Sequence, residues 1–231
     1  MKVTFHGHSC IQLETEKHSL IIDPFLTGNP AAKLAASEVK VNAVLLTHGH
    51  NDHVGDAEQI AKANDAIIVA PNELADYMGW QGCRNHPMHI GGAHRFEFGR
   101  VKFTPALHGS GYELHDSKQI LYMGMPGGLL IETDGFTIYH AGDTALFGDM
   151  KLIGEMNEIH LAFLPIGDNF TMGPEDALFA AKWIRAKRVV PMHYNTFPLI
   201  AQDGHAFVKA LAEQGIEGIV MEPGESLSLS H

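Results

Sequence analysis

Cysteine is scarce in this chain: two residues, Cys10 and Cys83, in a length of 231. That excludes a disulfide framework, and neither cysteine sits in a Cys-x-x-Cys pair of the kind that binds zinc or exchanges electrons. Both read as buried thiols, which behave as small apolar groups. Basic residues are also few, with 16 Lys and Arg against 27 Asp and Glu and a net charge of −11. The averaged field of such a chain repels a phosphate polymer, so nucleic acid is not an expected partner. Long apolar runs are missing too. Stretches such as Ile67 to Ala70 and Leu161 to Leu164 fall far short of the ~20 residues that span a bilayer. The amino terminus opens into strand-like sequence, Met1-Lys2-Val3-Thr4-Phe5, without a basic-then-apolar leader, so the expected location is cytoplasmic.

Composition otherwise describes an ordinary folded domain, 45% apolar and 19% charged. A chain of this size buries roughly 70–75% of its unfolded surface and needs no covalent staples. A single domain over residues 1–231 is expected. Histidine is the surplus, with 16 copies, and histidine is both the commonest metal ligand and an acid–base group near neutral pH.

Apolar patterning predicts strands at 2–6, 10–15, 18–23, 42–46 and 66–70, with helices at about 55–64 and 72–79. Further strands are expected within 94–107 and 128–140, then at 160–164. A helix should start near Pro174, where Glu175 and Asp176 suit the positive end of the helix dipole. A strand at 188–191, a helix at 203–214 ending before Gly215, and short strands at 218–221 and 226–229 complete the reading. Strands alternating with helices in both halves give an α/β class with sheets covered by helices.

The chemistry concentrates in His48-Gly49-His50-Asn51-Asp52-His53. Three imidazoles and a carboxylate follow directly on an apolar strand, at the kind of strand end where α/β folds place ligand sites. In an extended stretch, residues 48, 50 and 52 would project to one side, and Gly49 would let the chain turn tightly between two ligands. Mixed nitrogen and carboxylate donors suit zinc, manganese or iron better than calcium or magnesium. Four donors exceed the three protein ligands of a typical mononuclear catalytic zinc, which points to two metals.

His-x-His-x-Asp-His after an apolar strand resembles the metallo-β-lactamase superfamily. The resemblance implies a four-layer αββα sandwich of two mixed β-sheets flanked by helices. It also implies later ligands at His108, at Asp143 in a Gly-Asp turn, and at His193, each just past an apolar strand. On this resemblance one divalent metal takes His48, His50 and His108. A second takes Asp52, His53 and His193, with Asp143 between the two. Zinc is the expected metal, with manganese or iron as alternatives, and the implied reaction is hydrolysis of a small molecule by a metal-activated hydroxide. Asp52 would orient that hydroxide or accept its proton. The segments Phe5-His6-Gly7-His8-Ser9-Cys10, Ile22-Asp23-Pro24-Phe25, Met172-Gly173-Pro174 and Pro191-Met192-His193-Tyr194 resemble a bacterial and archaeal branch related to L-ascorbate-6-phosphate lactonase. The substrate class it leaves open is lactone, ester or phosphoester, and it allows a homo-oligomer.

Around these ligands, Asp23 is expected to support the metal-binding loop, with a simple Asp-Pro turn as the alternative. His8, and less so His6, could face the cavity and meet an anionic group of the substrate. His140 reads as structural. His86, His89 and His94 match no ligand spacing and read as a loop or turn near the mouth of the site. His18, His115, His160, His205 and His231 read as ordinary histidines. Asn169, Phe170, Thr171 and Tyr194 are candidates for substrate contact. Two rival readings of the same site are a small phosphodiesterase and a metal-binding module without catalysis. A di-iron oxidoreductase is disfavoured, because His50 stands where those relatives carry a carboxylate.

Overall fold

A computed structural model of the chain describes residues 1–230; His231 lies outside the described residues. The first six strands are Lys2–Phe5 (β1), Ile11–Glu14 (β2), Ser19–Ile22 (β3), Ala43–Leu45 (β4), Ile67–Pro71 (β5) and Asn85–Met88 (β6). Next come Ala93–Phe96 (β7), Gly99–Pro105 (β8), Gly111–Leu114 (β9), Gln119–Tyr122 (β10), Gly127–Thr133 (β11) and Phe136–His140 (β12). Leu161–Pro165 (β13), Arg188–Met192 (β14), Glu217–Gly218 (β15) and Ser226–Ser228 (β16) complete the strands. The helices are Asn51–Val54 (α1), Ala57–Asn64 (α2), Asn72–Trp80 (α3), Met150–Met156 (α4), Pro174–Ile184 (α5) and Gly204–Glu213 (α6).

Two seven-stranded sheets form, in the orders β16-β1-β2-β3-β4-β5-β6 and β15-β14-β13-β12-β11-β8-β7. Both are mixed. In the first, β16 through β3 pair antiparallel and β3 through β6 parallel. In the second, β7, β8, β11 and β12 pair antiparallel, whereas β12 through β15 pair parallel. β9 and β10 make a separate hairpin.

Alternation along the strands explains the layering. Leu20, Ile22, Leu45 and Val69 join one apolar cluster with Phe103, Leu129, Ile131 and Ile138 of the other sheet. Their neighbours Ile21, Val44, Leu46, Ile68 and Ala70 face the opposite way, into a second cluster with Ile60, Leu74 and Met78 of α2 and α3. Successive side chains of a strand point to opposite faces, so a strand covered on both sides is apolar throughout. Helices α5 and α6 cover the second sheet through Ala177, Ala181, Ile184, Phe207 and Leu211. The result is the expected sandwich of two mixed sheets flanked by helices. Cys10 and Cys83 remain separate buried thiols. Among the described residues, no helix is long and apolar enough to cross a membrane.

Several elements depart from expectation. The helix expected at about 55–64 is α2, and a further short helix, α1, precedes it within the motif segment. The β9–β10 hairpin and α4 are additional elements. β6 is a further strand, and β7 falls at the start of the strand region expected at 94–107, so His86 and His94 sit in sheet edges and not in a loop. β6 carries Asn85, His86 and Pro87, which show no apolar alternation. As an edge strand it pairs only with β5, and an edge tolerates the missing proline N–H. The strand expected at 218–221 is reduced to Glu217–Gly218.

Candidate metal centre

One end of the sandwich collects the chemistry. β3 runs into Asp23, β4 into the His48–His53 segment, β12 into Asp143 and β14 into His193, while β1 and β8 lead to His8 and His108. Side chains at the carboxyl ends of strands can converge because rigid strands root the loops that carry them.

The motif segment is not extended throughout. His50 precedes α1, and its carbonyl accepts from the backbone N–H groups of His53 and Val54 at 3.0 and 2.9 Å. Asp52 and His53 therefore sit on a helical turn, which replaces the one-sided projection expected of a strand. Gly49 is required by crowding and not by a turn: a Cβ there would lie 2.3 Å from Met123 Cβ. Gly142 in the Gly-Asp turn has φ +63°, and a Cβ would meet the Gly127 carbonyl at 2.8 Å. Three non-glycine residues at the site, His8, Asp23 and His193, have φ of 56°, 45° and 54°. Left-handed backbone at such residues costs free energy and persists where the surroundings over-determine it.

All seven ligand candidates come together. His48, His50, His108 and Asp143 form one group, and His8, Asp52, His53 and His193 another, with ligand atoms within 4.8 Å of one another in each. Asp143 Oδ2 touches both groups, lying 3.4 Å from His108 Nε2, 3.3 Å from His53 Nε2 and 2.9 Å from His193 Nε2.

A buried scaffold holds them. Asp23 accepts from the Thr47 backbone N–H (2.8 Å) and hydroxyl (2.7 Å), and Asp23 Oδ2 lies 2.8 Å from His53 Nδ1. It thus fixes the root of the motif loop and the ring of one candidate ligand, an arrangement that orients metal-bound imidazoles. His8 is buried, with Nε2 at 3.1 Å from Asp52 Oδ2 and Nδ1 at 2.8 Å from the Thr196 hydroxyl. Both its nitrogens are engaged behind Asp52, so the expectation that it meets an anionic substrate group is replaced by a role in holding Asp52. His6 is bonded to Gln12 at 3.0 Å and does not share the cavity. His140 is structural as expected, its Nε2 donating to the Ser9 carbonyl (2.9 Å) and its Nδ1 accepting from Gly142 N–H (3.2 Å).

Charge is arranged to suit a cation. Burial pushes His48, His50 and His108 toward the neutral form in which imidazole can ligate. Burial alone would raise Asp143, but His193 and His53 beside it hold the carboxyl well below the usual carboxylate range. Asp52 is likewise lowered, the cost of burial being outweighed by the His8 hydrogen bond and by His53. His53 is the exception. Burial opposes its charge, yet Asp143 and Asp23 raise it well above the ordinary imidazole value. His48 Nε2 and His50 Nδ1 meet at 3.0 Å, and buried Asp143 Oδ1 and His193 Nδ1 have no hydrogen-bond partner. Buried polar atoms rarely stay unpaired. Divalent cations among these nitrogen and carboxylate donors would engage His48 Nε2, His50 Nδ1 and Asp143 Oδ1, so the residues fit the metals implied by the sequence.

In front of this cluster lies a cleft of about 350 Å³, lined by His50, Asp52, His108, Asp143 and His193 and rimmed by Asn51, Glu113, Phe170 and Phe197. A larger depression of about 670 Å³, between Thr15, Arg95 and Glu132, lies at the other ends of β3, β8 and β12 and gathers no ligand cluster. Phe170 is at the cleft as anticipated, whereas Thr171 and Tyr194 are not among its walls. Thr196, Phe197, Asn51 and Glu113 escaped the sequence reading. Asn51 lies inside the motif and clamps the hairpin: its Nδ2 donates to the Glu113 carbonyl (3.1 Å) and its Oδ1 accepts from the Glu113 N–H (2.9 Å).

Comparison with known proteins agrees with this fold. The Beta-lactamase superfamily domain matches residues 18–194. A UPF0173 metal-dependent hydrolase of Bacillus cytotoxicus is 63% identical over 229 residues, spanning 99% of this chain and 100% of the relative. Among solved structures, Igni18, a metallo hydrolase of Ignicoccus hospitalis, superposes with a TM-score of 0.90 at 36% identity, covering 100% of this chain and 98% of the other. An isothiocyanate hydrolase from Delia radicum gut bacteria shares the fold, with a TM-score of 0.75 at 22% identity over 100% and 99% of the two chains.

Proposed function

The chain belongs to the metallo-β-lactamase superfamily and is a metal-dependent hydrolase, and from that premise we propose that it cleaves a small-molecule ester or lactone at a dinuclear centre. The observation that carries this reading is Asp143, whose Oδ2 lies within 3.4 Å of imidazole nitrogens from both ligand groups. His48, His50 and His108 would hold one divalent metal, zinc in the first instance, and Asp52, His53 and His193 the other, with Asp143 shared. Metals bound there would supply Lewis acidity and lower the pKa of a water toward neutrality.

The remaining steps belong to the chain's own side chains. Asp52 lines the cleft and is kept ionised by its neighbours, so it is the group proposed to take the proton of the attacking water. His8 holds the Asp52 carboxylate in one orientation through Oδ2. Return of that proton to the leaving oxygen completes cleavage: a carbon–oxygen bond to water forms, and the ester carbon–oxygen bond breaks. The fixed rim positions the substrate over the ligand cluster, and such positioning lowers the entropic part of the barrier.

The test is metal analysis of protein purified without chelator, beside a panel of lactones, carboxylic esters and phosphodiesters with zinc, manganese and iron in parallel. About two metals per chain and turnover of an ester or lactone are expected. Fewer than about one metal per chain under replete conditions would sink the dinuclear reading.

A further inference from the structure

The metal-facing floor of the cleft and its rim differ in chemistry. Phe170 comes from the loop after β13 and Phe197 from the loop after β14, and both rings stand at the same opening, 52% and 36% exposed. Single exposed apolar side chains are ordinary, but two rings flanking one cleft make a surface that a bound apolar group would cover. Phe197 is also held in place. Its ring lies 6.3 Å from Phe25 and 5.7 Å, edge to face, from His8.

Nothing on this rim is built to receive an anion. No lysine or arginine lines the cleft, although those side chains are the usual partners of phosphate and carboxylate. The side-chain amide of Asn51 is spent on the Glu113 backbone. His8, which the sequence offered for an anionic group, is spent on Asp52 and Thr196. The rim instead carries a carboxylate, Glu113. His115, 3.5 Å from its Oε2 and 77% exposed, offsets it little. Metals in the floor can draw in the oxygens of the group that reacts. A charge elsewhere on the substrate would meet phenylalanine rings and Glu113.

We infer that the substrate carries, beside the bond that is cleaved, an uncharged aryl or alkyl group seated between Phe170 and Phe197, and not a phosphate or carboxylate. This rests on the hydrolytic reading of the same cleft and narrows its substrate class to neutral, partly apolar molecules. It also sets the chain against substrates that carry a phosphate away from the bond that is cleaved.

Two matched probes test it on the metal-loaded protein. Benzohydroxamate and para-carboxybenzohydroxamate present the same metal-binding head and differ only in a charge at the far end of the ring. Calorimetry should show the neutral probe binding at least about tenfold more tightly, since an unpaired like charge at a rim is disfavoured. Phe197→Ala should weaken the neutral probe by roughly tenfold, with Phe170→Ala as the second variant, and Glu113→Gln should narrow the gap between the probes. Equal or tighter binding of the carboxylated probe overturns the inference. So does retention of full affinity for the neutral probe in both phenylalanine variants. A parallel pair of esters, para-nitrophenyl butyrate and para-nitrophenyl hemisuccinate, separates the two levels of argument. Hydrolysis of both at equal kcat/KM defeats the inference and leaves the hydrolase reading standing. Preference for the neutral hydroxamate with no turnover of either ester upholds the cleft chemistry and defeats the ester reading.

Discussion

Two histidine clusters in this molecule have nearly the same ring spacing and opposite surroundings. His48 and His53 lie 4.1 Å apart between ring centroids, and His86 and His94 lie 4.3 Å apart. The first pair is buried and threaded by Asp23, Asp52 and Asp143. The second sits where the edge strands β6 and β7 meet, against Phe96, with His94 exposed and His86 half-buried. Burial lowers His86, and His94 beside it lowers it further. Among the described residues, no three-membered group of ligating side chains forms around it. Proximity of imidazoles is therefore not what makes a metal centre. Carboxylates interleaved with the rings compensate a cation's charge, and a buried scaffold holds lone pairs aimed at one point.

That contrast can be broken in order of expected effect. Asp143→Asn removes the one carboxylate that touches both ligand groups. It should lower kcat/KM by at least about a thousandfold and bound metal with it, read by steady-state kinetics and elemental analysis. Full activity in that variant would undo the assignment. Asp23→Asn leaves every proposed ligand in place and removes only the charge that orients His53 and Thr47. Metal affinity should fall 10–100-fold, and stability by about 2 kcal/mol because three buried hydrogen bonds weaken, measured by metal titration and chemical denaturation. An Asp23→Asn protein with unchanged metal affinity would mean that the scaffold does not matter. His86→Ala and His94→Ala should do least, with stability within about 0.5 kcal/mol of the parent and unaltered metal content. A drop in metal content there would place a ligand outside the cluster described.

The contrast also marks what could be read without the structure. The motif from His48 to His53 was legible in its residue types after an apolar strand, and His108, Asp143 and His193, each just past an apolar strand, became legible as ligands through the family resemblance. Asp23 was legible as a supporting residue for the same reason. His8 was half legible: its place near the site was anticipated, but not that Thr196 and Asp52 occupy both of its nitrogens, since those partners lie 188 and 44 residues away. Gly49 was assigned a reason that the structure replaces, because Met123, which crowds it, belongs to a strand-end segment distant in sequence. Strand β6 was invisible, as an edge strand needs no apolar alternation.

The later donors and their order along the chain came through the family resemblance, whereas the α/β class and the donors of the His48–His53 segment were set by residue type and local pattern. The latter depend on neighbours a few residues apart, which the sequence displays. The grouping of the donors, with Asp143 between the two groups, was implied by the resemblance; only the tertiary structure decided that His8 stands behind Asp52 and that an aromatic rim with Glu113 faces the donors. These depend on two sheets closing over one apolar core, with Asn51 and Glu113 joined across the cleft edge. Such long-range registration is fixed by packing and by hydrogen bonds between distant segments, and no local pattern announces it.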